Sequence, residues 1–298
     1  MKRNHFKRFA ALALSAVCGA ACLAGCGTQP TAATALETIQ QPKTGSYEDW
    51  ELIQQTRQEN PVSESTFTAL DHFAYTTAAQ VLGEDANGSY SPLSLYYALA
   101  LAATGAAGKT QTQMLDLLGI SDPAQLSDQC AKLYRLLSRD NEVGTLRLAN
   151  SLWMDQRVDW KQSFVTQAAQ DFYAEVYQVD FTTDEAPKAI AQWVAQQTGG
   201  LLTPTFQPTD QQVLSLLNTV YFKDEWYDRF QSKNTQSDTF TKADGSQVTC
   251  DFMNREDQGS GFSRGENFTR ADLGLKNAGS MSFILPGRRM TALAFTAT

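Results

Sequence analysis

Two serines, Ser91 and Ser94, open the uncharged run GSYSPLSLYYALALAAT at residues 88–104. A serine hydroxyl becomes a nucleophile only beside a base. Downstream of residue 25 the sole histidine is His72, so a two-histidine relay or a histidine-based metal site is excluded by inventory. Neither HExxH nor CxxC occurs, and no metal or cofactor is expected. Gly105-Ala106-Ala107-Gly108-Lys109-Thr110 has the look of the end of a phosphate loop. The full pattern needs glycine at 103, where Ala103 stands, and a strand before it, where the pattern is helical. Gly105 and Gly108 are therefore read as a helix stop, with Lys109 opening the next helix.

The elements around these residues follow from periodicity. Serine accepts hydrogen bonds from the first free amides of a helix and proline suits the first helical position, which accounts for Ser91 but not for Ser94. The helix they open is apolar all round, too short to cross a bilayer, and so must be buried in protein. Apolar spacing predicts further helices over 67–82, 123–137, 159–173 and 184–198. Alternation predicts strands over 144–154 and 174–181. Val213 to Phe222, VLSLLNTVYF, reads as a strand covered on both faces near the middle of a sheet. Its Asn218 then needs a hydrogen-bond partner from another element. Beyond Trp226 the pattern is β-like, with Asp244-Gly245 as a hairpin turn. The expectation is one mixed α+β domain, helices packed on a large central sheet with further strands behind.

The N-terminus is a separate matter. MKRNHFKR is basic, FAALALSAVCGAACLAG is apolar, and the stretch ends in small residues before Cys26, as in a secretory signal. Leu23-Ala24-Gly25-Cys26 resembles the lipobox of bacterial lipoproteins, which implies lipid on Cys26 and cleavage before it. An ordinary signal peptide or an uncleaved anchor is the alternative. Expected boundaries are a signal over 1–25, a flexible tether over 26–64 and a folded body over 65–298. The product would be exported and lipid-anchored at the extracellular face of the cytoplasmic membrane or cell surface. Loss of residues 1–25 removes four cations, taking the charge from 24 − 32 = −8 to 20 − 32 = −12, which argues against a nucleic-acid partner. Cys130 and Cys250 have no metal or redox spacing and are read as small buried apolar side chains.

NGSYSPLSLYYALALAATGAAGKTQTQMLDLL, residues 87–118, resembles the second and third helices of the serpin family of protease inhibitors. Four more segments agree in order: LRLANSLWMDQ, AIAQWVAQQTGG, LLNTVYFKDEWYDRF, and TFTKADGSQVTCDFMN with GSMSFILPG. The resemblance covers 67–286 and implies a set of roles. Ser91, Ser94 and Asn218 would belong to the shutter, where the large sheet parts, and Trp226 to the breach, where it first opens. The partner would be a serine or cysteine protease, which supplies the catalysis, and membrane contact would be through the lipid alone. After Gly287 the family continues with a small-residue hinge, a bait loop and two core strands, whereas this sequence runs RRMTALAFTAT. The chain is therefore expected to lack the reactive loop, to leave Asn218 without its usual histidine partner, and not to inhibit as given. A non-inhibitory surface-binding lipoprotein that reuses part of the fold is the alternative.

Overall fold

The structure, a computed structural model, describes residues 33–287 apart from 38, 84–86, 208, 210, 243, 257–260 and 278. The signal, Cys26 and the RRMTALAFTAT segment lie outside the described residues. The elements run β1 (Thr34–Ala35), α1 (Trp50–Glu59), α2 (Glu64–Val81), α3 (Pro92–Gly105), α4 (Gly108–Leu118), α5 (Pro123–Leu137), β2 (Arg139–Asp140) and β3 (Thr145–Asp155). They continue with α6 (Gln162–Phe172), β4 (Ala174–Val179), α7 (Glu185–Gln197), β5 (Leu214–Lys223), β6 (Gln236–Thr241), β7 (Gln247–Phe252), β8 (Gly261–Arg264), β9 (Phe268–Gly274) and β10 (Ser280–Pro286).

β3 organises the large sheet. It pairs in parallel with β4 from Asn150↔Ala174 to Asp155↔Val179, and antiparallel with β5 from Thr145↔Lys223 to Met154↔Leu214. A parallel pair needs a crossover, and α6 supplies it. The side-chain period of two then sends alternate residues of β3 to opposite layers. Leu148, Leu152 and Met154, with Leu214, Leu216 and Val220 of β5, pack against Tyr96, Tyr97, Ala100 and Leu101 of α3. Ala149 and Trp153 face the other way, with Tyr177, Val179 and the α7 residues Ala189, Ile190 and Trp193. Leu148 through Asp155 is buried without a break.

α3 is mostly apolar, and its two buried tyrosines are satisfied at a distance. The Tyr96 hydroxyl donates to the Leu118 carbonyl at 3.0 Å and that of Tyr97 to the Cys130 carbonyl at 2.7 Å. Gly105 ends the helix where an added Cβ would meet the Phe164 ring at 2.9 Å. The GAAGKT stretch thus lies between two helices, and Lys109 is an exposed residue of α4.

Three expectations need correction. β5 is not inside the described sheet: among the described residues only β3 pairs with it, and it is half-buried because one lateral edge has no neighbour. Residues 26–64 are not all tether, since β1 pairs antiparallel with β4 and α1 is a capped helix of 10 residues. Cys130 is buried as expected, whereas Cys250 is exposed on β7. The strands beyond Trp226 form a hairpin of β6 and β7 around Gly245 (φ +79°) and a sheet of β8, β9 and β10. β10 is exposed along its whole length, with Leu285 67% accessible.

Asp155 ends β3 as a fully buried carboxylate. It accepts from Arg157 Nε at 2.7 Å, from the Arg157 amide at 2.8 Å and from the Phe181 amide at 3.2 Å. The Arg157 guanidinium, aided by those amides, holds its carboxyl below the ordinary range. The stabilisation is therefore complete above about pH 4, where the unfolded carboxyl is ionised, and is lost as pH falls through the folded value. Asp155→Asn should cost about 2–3 kcal/mol at pH 7 in urea unfolding and should flatten the acid limb of the stability profile.

Candidate functional site

On the face that meets α3 the seam between β3 and β5 is apolar except at one rung. There Asn150 stands directly opposite Asn218 in the antiparallel register, both on the face that meets α3. Asn218 Nδ2 donates to Asn150 Oδ1 at 2.6 Å, and Asn150 Nδ2 donates to the Phe172 carbonyl at the end of α6, 2.7 Å away. Asn150 is thereby satisfied on both ends. Asn218 Oδ1 is buried and has no donor among the described residues. Thus Asn218 has a partner on another element, an asparagine and not a histidine, and only for its amide nitrogen.

The two serines stand apart from this rung. Ser91 caps α3 by accepting from the Ser94 amide at 3.2 Å. Ser94 is half-buried, and no hydrogen bond of its Oγ is present among the described residues. Neither serine is bonded to Asn218, so serines and asparagine are linked only through the packing of α3 on β5. Trp226 follows β5. Its backbone forms an isolated bridge to Leu275 and its ring meets Phe230 edge-on at 5.6 Å and Phe283 at 6.4 Å. That hydrophobic corner ties the end of the large sheet to β9 and β10.

Gly261-Phe262-Ser263-Arg264-Gly265 spells the G-x-S-x-G of a nucleophile elbow, yet Ser263 lies within β8, opposite Arg270, and among the described residues no helix follows. His72 is exposed on α2. Among the described residues no group of three His, Cys, Asp or Glu is placed to hold a metal, and no helix is long and apolar enough to cross a membrane. What the seam offers is exchangeable polar contact at a sheet edge.

The family model described as serpin, serine protease inhibitor, matches residues 68–296. The chain belongs to the serpin family. It is 32% identical over 198 residues to serpin-Z2B of Triticum aestivum and 30% identical over 181 residues to serpin-ZX of Arabidopsis thaliana. Those matches cover 64% and 58% of this chain but 48% and 46% of the two plant serpins, so the chain spans about half their length. The thermophilic serpin tengpin in its native state superposes with a TM-score of 0.72 at 24% identity, over 89% of this chain and 65% of tengpin. Arabidopsis AtSerpin1 in its native stressed conformation gives 0.65 at 26% identity, over 78% and 61%. The fold is that of a serpin: β3, β4 and β5 are strands of the family's large sheet, α3 lies behind it and α7 across its front.

Sequence inspection missed Asn150. Its signal was there, an Asn-Ser pair inside the apolar alternation LRLANSLWM, but the strand assignment absorbed it. Asn150→Ala removes the donor to Phe172 and the acceptor that Asn218 has among the described residues. It should cost about 2–3 kcal/mol, whereas Asn218→Ala, which also deletes the unpartnered oxygen, should cost about 1 kcal/mol or less. Urea unfolding of both single variants and the double variant should show strong non-additivity.

Proposed function

We propose that this serpin descends from inhibitors of serine or cysteine proteases and retains the sheet such an inhibitor opens. It supplies no catalytic group of its own. In this reading Asn218, Ser91 and Ser94 form the shutter and Trp226 marks the breach. Cys26 carries lipid and holds the body at the outer face of the membrane. The observation that carries the reading is the lateral edge of β5, unpaired among the described residues and bearing Asn218 with a free acceptor, where a further strand could add.

The 298 residues alone are proposed not to trap a protease. A bait loop is not found among the described residues, and the apolar side chains of Phe262, Met281, Phe283, Ile284 and Leu285 are exposed on β8 and β10. Such a surface favours association over a metastable monomer. The same surface favours the second reading, a non-inhibitory lipoprotein that binds other proteins.

Incubation with trypsin, chymotrypsin and a papain-type enzyme should give cleavage or no reaction, without a covalent complex on a denaturing gel. A complex that survives denaturant would overturn the claim of inactivity. A well-behaved monomer with a cooperative melt would favour the second reading.

A further inference from the structure

The N-terminal segment that precedes the family match builds a small cavity against the body. Residues 43–57, at the approach to and along α1, form one wall, and Ser138, Arg139 and Asn141 at β2 form the other. The cavity encloses about 140 Å³, room for a small ion but not for a nucleotide.

Its charges are unusual for so acidic a chain. Lys43, Arg57 and Arg139 all line it. Arg139 Nη1 donates to the Ser138 carbonyl at 2.8 Å, and no carboxylate pairs with Arg139, Arg57 or Lys43 among the described residues. Burial, and after it the charge of Arg57, pulls the Arg139 guanidinium below the ordinary arginine range. The carboxylate in the wall, Asp49, is occupied elsewhere, capping α1 by accepting from the Leu52 amide at 3.1 Å. Lys276, a fourth cation at the rim, is already matched by Glu225 at 2.7 Å. Thr44 and Ser46 add hydroxyls with no partner among the described residues.

We propose that this cavity is a binding site for one phosphate group, held between the guanidinium groups of Arg57 and Arg139 with Lys43, Thr44 and Ser46 completing the donors. Two arginines lining one cavity whose single carboxylate, Asp49, caps α1 are costly alone and complementary to a tetrahedral dianion, whose oxygens accept paired N–H donors. The walls come from the N-terminal segment and from the body, so a bound phosphate bridges them. Two sources share this chemistry, free phosphate and a phospholipid headgroup.

Equilibrium dialysis of the full chain against radiolabelled inorganic phosphate at fixed ionic strength tests the site. Saturable binding of one phosphate is expected, weakened by about tenfold or more in Arg57→Gln and in Arg139→Gln and unchanged in Lys109→Gln, a surface cation on α4. Arg57 is exposed and makes no hydrogen bond among the described residues, so its variant decides the matter should Arg139→Gln fail to fold. Competition by phosphatidylglycerol vesicles but not by phosphatidylcholine vesicles would assign the site to a headgroup, and its absence to free phosphate. Non-saturable uptake, or binding that Arg57→Gln leaves unchanged, overturns the proposal.

Discussion

The molecule depends on a strand buried on both faces. β3 holds β4 on one side and β5 on the other, and its alternate residues reach the α3 layer and the α7 layer at once. Apolar burial of this kind is worth about 25 cal/mol per Å² but has no direction. Direction comes from the Asn150 and Asn218 rung, since a slip of either strand by one residue would move its own asparagine to the α7 face and break the pair. The rung therefore fixes register with bonds that another donor could replace. In the proposed function that exchangeability is what allows the seam to be worked.

Much of this is legible in the sequence. The helix predicted over 123–137 coincides with α5, and those over 159–173 and 184–198 overrun α6 and α7 by one to three residues at each end. Each has a strong apolar stripe or a proline or acidic start, so local and tertiary preferences agree. The run at 213–222 reads correctly as a strand, but an apolar run does not say how many neighbours the strand has. β5 owes its apolar character to α3 and α7 above and below it, not to strands on both sides.

The N-terminal segment is illegible for a different reason. α1 buries none of its side chains fully, and its half-buried Leu52 and Ile53 make too short a stripe to stand out among polar neighbours. It is held by the Asp49 cap and by its neighbours: Arg135 Nε donates to Asn60 Oδ1, and the Tyr47 amide donates to Glu142 at 3.1 Å. Polar contacts between residues some 75 to 95 positions apart leave no local pattern. The same holds for the rung, where two asparagines 68 residues apart are each ordinary alone.

The most direct test of the central claim is native-state hydrogen exchange resolved along the large sheet. The account predicts that amides of β3 exchange slowest in the chain, that amides of β5 bonded to β3 follow, and that β8 to β10 exchange faster by orders of magnitude. Equal and rapid exchange of β3 and β10 would contradict it, because the doubly buried strand would then not be the element that holds the rest.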